Sequence, residues 1–171
     1  MSDTAPSGKI PQGDPRLLAT AAARELLARP IPARLAYLTR RDEIRIVPTW
    51  FYWNGQEIVM ATWISGPHIQ HPARRVEDLR QRPDVAISID TEEQPPVALQ
   101  VRGRAVVDEI AGIPMEYRLS AEHYLGAETA QQYLGQFDGV AVSMARIAVR
   151  PVWVGLIDFG ERLPGPLGGV Q

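Results

Sequence analysis

Cysteine is absent from the 171 residues, which excludes a disulfide scaffold, a thiolate zinc site, an iron–sulfur cluster and a cysteine nucleophile. Lysine is almost absent: Lys9 is the only one. Any anion site must therefore be built from guanidinium groups, backbone amides and hydroxyls. An excess of positive charge is also missing. With 18 basic and 20 acidic side chains the formal charge is -2, so nucleic acid and anionic membrane are not the expected partners. No stretch approaches the roughly 20 apolar residues of a membrane helix, and residues 1–14 are polar and Pro/Gly-rich, without the apolar core of a signal peptide; the expected location is cytoplasmic. A P-loop, a dinucleotide fingerprint, a nucleophile elbow and a zincin helix motif are all missing, which turns attention away from side-chain catalysis.

What is present is ordinary globular material, 45% apolar and 22% charged, enough for one domain. The expected organisation is a flexible tail over residues 1–14, a single domain over 15–160 and a Gly/Pro-rich tail over 161–171. Asp14 followed by Pro15 starts a helix that Pro30 and Pro32 end. From Arg34 the apolar period becomes two, and Arg40-Arg41-Asp42 makes a turn into a second strand running from Ile44 to Tyr52. Asn54-Gly55 is a favoured hairpin pair, with positive φ at both positions, and leads into a third strand over residues 58–63. These are expected to lie side by side. Pro48 cannot donate to a ladder, so its strand bulges or forms an edge. A loop over residues 64–72 precedes a short helix, residues 73–82, and Pro83 ends it. Strands over residues 84–91, 97–108 and 140–157, with a helical stretch over 115–136 in which Gly126 and Gly135 are candidate breaks or ends, complete the chain. The fold class expected is mainly β: a six-stranded antiparallel barrel with peripheral helices, closed so that no sheet edge remains.

Three groups of residues are candidates for chemistry. Thr62, Ser65, Arg74 and Arg75 bring hydroxyls and forked donors to the start of a short helix and suit a phosphate; a solvated helix face, with Arg74 and Arg75 paired to Glu77 or Asp78, is the plainer alternative. Gln100, Arg102 and Arg104 share one face of a strand, which is either solvated, turned to another protomer, or turned to an anionic cofactor. Gly103 between them permits close backbone approach. The run Trp50, Phe51, Tyr52 and Trp53 projects rings to both faces, as core or as cover for a planar ligand. His68 and His71 read as solvated loop residues rather than metal ligands, and no metal is expected.

The ordered segments ARLAYLT, RIVPTWFYWNGQEIVMATW, ARRVEDLRQRPDVAISID and VALQVRGRAVV, with RIAVRPVWVGLIDF near the end, resemble the pyridoxamine 5'-phosphate oxidase-like split β-barrel family. The likeness covers about residues 33–107. It implies an FMN-binding split barrel in which Arg75 takes the place of the family's phosphate-binding lysine or arginine, helped by Thr62 and Ser65. Val47, Pro48, Thr49 and Trp50 then lie on the strand bordering the cofactor ring. The resemblance further implies a homodimer with the cofactor between protomers, faced by Gln100, Arg102 and Trp153 from either chain. The activity implied is hydride transfer between bound FMN, or the deazaflavin coenzyme F-420, and a small organic substrate, with no side chain nominated as catalytic. A flavin carrier or a cofactor-free dimeric barrel is the alternative. Three features depart from the family. The loop between Ser65 and Arg75 is long, leaving Arg74 or His68 as alternative phosphate contacts; Asp78 replaces an asparagine; and Trp50 occupies the place of a substrate-binding lysine, so vitamin B6 oxidation is not implied.

Overall fold

The computed structural model describes residues 10–167. Its centre is one antiparallel sheet of seven strands, β1 (Ala33–Leu38), β2 (Ile44–Thr49), β3 (Tyr52–Trp53), β4 (Ile58–Ser65), β5 (Asp84–Asp90), β6 (Val97–Ala111) and β7 (Ser143–Asp158), in the order β2-β1-β5-β6-β7-β4-β3. Four helices surround it: α1 (Ala21–Leu27), α2 (Arg75–Gln81), α3 (Met115–Leu125) and α4 (Ala127–Gly135).

Three expectations are corrected. The second strand is interrupted at Trp50 and Phe51, so it becomes β2 and β3 and the total is seven rather than six. Those two pieces are the opposite margins of the sheet, and no ladder joins them among the described residues; the expected closure is not seen. The third strand, β4, lies beside β7 instead of β2. Pro48 accounts for part of this: without an N–H, β2 pairs only with β1.

The turns follow from their side chains. Thr39 Oγ1 accepts from the backbone N–H groups of Arg41 and Glu43, and Asp42 takes the left-handed conformation at φ 63°. At the second loop Asn54 Oδ1 accepts from the Gln56 and Glu57 amides. Only Gly55 has positive φ there, so the loop is one residue pair wider than the tight turn expected. The first helix breaks at Thr20, whose hydroxyl caps α1, leaving a 3-10 turn at Pro15–Ala19. Gly126, at φ 80°, divides the expected long helix into α3 and α4.

The long β6–β7 ribbon bends at Gly103, where the register shifts. A Cβ on Gly103 would meet the Arg150 carbonyl oxygen at 2.5 Å, so the close approach is to a neighbouring strand. Leu17, Leu26, Leu35, Ile58, Met60, Leu79, Ile89, Leu99 and Ile147 are fully buried in the main core, each worth about 1.5–3 kcal/mol of transfer free energy. Residues 11–14 lie along β7, with the Gly13 amide on the Val154 carbonyl at 2.8 Å and Gln12 bonded both ways to the Leu156 backbone.

Candidate functional site

β4 stays paired with β7 as far as Ser65, with a register shift after Trp63, and the chain then returns as α2. The first residue of α2, Arg75, lines a cleft of about 430 Å3 together with Pro32, Pro48, Thr49, Trp50, Ala61, Thr62, Trp63 and Tyr117. The cleft thus lies between the end of β2, the last turn of β4 and the start of α3.

Arg75 Nε is buried and has no hydrogen-bond partner among the described residues. Burial pulls the pKa of this guanidinium below the ordinary arginine value, and Tyr37 acts in the opposite sense. Arginine does not give up its proton in a protein. An unpaired buried charge costs several kcal/mol, and an oxyanion with lone pairs for a planar fork removes that cost.

Aromatic rings make the remaining wall. Trp50 stacks on Tyr124 with centroids 5.2 Å apart and planes within 5°, so it packs on α3 and offers an edge to the cleft, not an outward platform. Tyr117 meets Trp63 edge-on at 5.8 Å, and its hydroxyl lies 3.0 Å from that of Tyr133. Burial, followed by the contact with Tyr133, raises the Tyr117 pKa well above the ordinary phenol value, so it stays a neutral hydroxyl. Burial pushes Tyr124 up to about 12.

Behind the cleft a second arginine, Arg146, faces Ala61 across the β4–β7 ladder. It bonds Glu116 Oε1 at 2.9 Å and Glu57 Oε2 at 3.4 Å. Burial works most strongly against the Glu116 charge, but the Arg146 hydrogen bond, a backbone hydrogen bond and the Arg146 charge together outweigh it, and its carboxyl titrates below the ordinary value. This arginine is fully engaged.

Of the sequence candidates, Pro48, Thr49, Trp50, Thr62 and Arg75 come together in the cleft. Val47 turns into the core instead. Ser65 lies outside it, exposed, with its hydroxyl 2.8 Å from that of Ser143. Arg74 lines a different cavity beside the β1–β2 turn, and His68 lines a third, so within one protomer neither shares the cleft with Arg75. Neither arginine pairs with Glu77 or Asp78: Asp78 bonds Arg40 at 3.0 Å and Glu77 bonds Arg80 at 3.0 Å. Gln100, Arg102 and Trp153 occupy the outer face of β6 and β7, where the Arg102 guanidinium carbon sits 4.3 Å above the Trp153 ring. Trp63 and Tyr117 were not candidates. Tyr117 reads in sequence as one of several helical aromatics, and only the packing of α3 on β4 brings it here.

No sequence-family model and no curated protein sequence matches the chain. Solved structures do. A protein named F420 reductase superposes with a TM-score of 0.57 at 21% identity, over 77% of this chain and 94% of that one. A conserved hypothetical protein from Mycobacterium tuberculosis gives 0.58 at 12% identity, covering 81% and 84%. A putative pyridoxamine 5'-phosphate oxidase from Listeria innocua gives 0.53 at 15% identity, covering 78% and 94%. The described residues share the fold of these structures, a putative pyridoxamine 5'-phosphate oxidase among them. The cleft at Arg75 opens where β2 and β4, from opposite ends of the sheet order, come near each other. No group of three or more metal-ligating side chains occurs among the described residues, and none of their helices is long and apolar enough to cross a membrane.

Proposed function

We propose that this chain is an oxidoreductase that seats a phosphate-bearing flavin or deazaflavin, FMN or coenzyme F-420, at Arg75 and transfers a hydride between it and a small organic substrate. One observation carries the reading: Arg75, half-buried, without an ion pair among the described residues and with no partner at Nε, lines a cleft beside a hydroxyl-bearing strand end and fits a phosphate group. The names of two similar structures, F420 reductase and pyridoxamine 5'-phosphate oxidase, agree with it.

When bound, the cofactor supplies the hydride chemistry. The chain's own residues bind and orient. Arg75 holds the phosphate as a fork and Thr62 adds a hydroxyl donor. Pro48 and Thr49 would border the cofactor ring, and Trp50, Trp63 and Tyr117, which line the same cleft, would keep water from it. Tyr117, held neutral, donates a hydrogen bond without adding negative charge.

The working unit proposed is a homodimer. Ile44 and Ile46, 76% and 65% exposed, stand beside Leu38 and Ala36 across the β1–β2 ladder, forming an apolar strip that a second copy covers. In such a pair Gln100, Arg102 and Trp153 of either protomer are available to the cofactor.

The test is to purify the protein, record its absorption spectrum, titrate it with FMN and F-420, and measure its mass in solution. Micromolar binding by a species of twice 18.9 kDa, with bleaching by NADPH or by reduced F-420 in the presence of an acceptor, supports the enzyme. Binding without turnover makes it a carrier. A colourless protein that takes up neither compound overturns the reading.

A further inference from the structure

The cleft at Arg75 has a neighbour across Trp63. A cavity of about 530 Å3 is lined by Trp63, Pro67, His68, Tyr133, Gln136, Phe137 and Val140. Trp63 lines both cavities, with Tyr117 against it on one side and Phe137 and His68 on the other.

The rings of this second cavity are arranged as walls. Phe137 lies 4.7 Å from Trp63 and 5.2 Å from His68, tilted 40° and 44°. His68 meets Trp63 edge-on at 4.9 Å, and Tyr133 meets Phe137 edge-on at 5.7 Å. Tyr133 packs against the second buried hydrophobic cluster, whereas Trp63 and Phe137 are half-buried and belong to neither cluster. The chemistry of the lining differs from that of the cleft. No aspartate, glutamate, lysine or arginine faces it; its polar groups are an imidazole, a phenol and a carboxamide, each able to bond a hydroxyl or carbonyl. The volume lies within the roughly 300–1,000 Å3 of small-molecule sites.

We infer that this cavity binds a neutral, planar aromatic molecule carrying one hydrogen-bonding group, packed against the Phe137 and Trp63 rings. That this molecule is the partner of the hydride chemistry rests on the reading of the preceding section; that it binds does not. Flat rings favour a flat, polarisable occupant through offset and edge contacts. An uncharged, partly desolvated lining disfavours an ionised one. A charged cofactor and an uncharged substrate are thus sorted into adjoining spaces by one arginine.

Isothermal titration with 2-naphthol, against naphthalene-2-sulfonate as its charged counterpart, tests this on the full chain. The expected result is saturable binding of 2-naphthol, at least tenfold tighter than the sulfonate. Phe137→Leu keeps an apolar side chain but removes the ring, and weakens 2-naphthol at least fivefold while FMN titration of the same sample is unchanged. Gln136→Glu, at an exposed position, places a carboxylate on the rim without disturbing packing and weakens 2-naphthol as well. No saturable binding, equal affinity for the sulfonate, or indifference to both substitutions overturns the inference. Phe137-dependent binding in a protein that takes up neither FMN nor F-420 supports the cavity as a binding site and overturns the cofactor reading instead.

Discussion

Two arginines stand on either side of β4 and meet opposite fates. Arg146 is 19% exposed at its side chain and shares two carboxylates, Glu57 and Glu116. Arg75 is buried at Nε and has neither a carboxylate nor a hydrogen-bond acceptor among the described residues. Both arginines are half-buried, and desolvation works against the charge of each. The difference is where the compensating charge comes from. For Arg146 the chain supplies it, with one negative charge to spare, and the result ties α3 and the turn before β4 to β7. For Arg75 the chain supplies none, and the stabilisation waits for something from outside. A satisfied buried charge is architecture; an unsatisfied one marks a place to bind.

Removing each arginine sharpens the contrast. Arg75→Ala is expected to weaken FMN or F-420 by roughly 10- to 100-fold, the 1.5–3 kcal/mol of a hydrogen bond to a charged group; a change under threefold in a fluorescence titration would move the anchor elsewhere. Arg146→Met strands two half-buried carboxylates and should lower the unfolding free energy by about 1–3 kcal/mol, read as an earlier urea midpoint at unchanged slope. Arg75→Met does the reverse. In ligand-free protein it removes an uncompensated charge, and stability should hold or rise by up to ~1 kcal/mol; destabilisation comparable to Arg146→Met would show that the two sites are alike after all.

The smallest effect concerns the tyrosines along the cleft. The Tyr124 pKa is raised to about 12 in the folded chain, from 10.0. Above pH 10 the unfolded chain loses this proton first, so the contribution is whole below pH 10 and fades as the pH rises towards 12. Urea midpoints measured across that window should decline less steeply in Tyr124→Phe than in the parent.

The sequence made much of this legible. Period-two patterning placed β1, β5 and β6, and Pro83, Gly126 and Asn54-Gly55 marked boundaries, because each acts through its own backbone or its nearest amides. Arg75 and Thr62 were recognisable as one site from the resemblance. What stayed hidden depends on contacts remote in sequence. Nothing in residues 44–52 announces that the strand breaks at Trp50 and Phe51 and crosses from one margin of the sheet to the other. Trp50 stacks on Tyr124, 74 residues on, and only that packing explains why it leaves β2. Arg74 and Arg75 are indistinguishable as letters; the helical step of about 100° between neighbours sends one to each side of α2.

Pro48 and Thr49 end the outermost strand on one flank of the sheet, while Ala61, Thr62 and Trp63 belong to the strand next to the opposite flank. A molecule lodged among them is therefore a rivet through a seam that the backbone leaves unsewn. Filling the cleft fastens the two flanks, and the amide protons of β2, which has only β1 to hold it, exchange more slowly with solvent as the site is loaded.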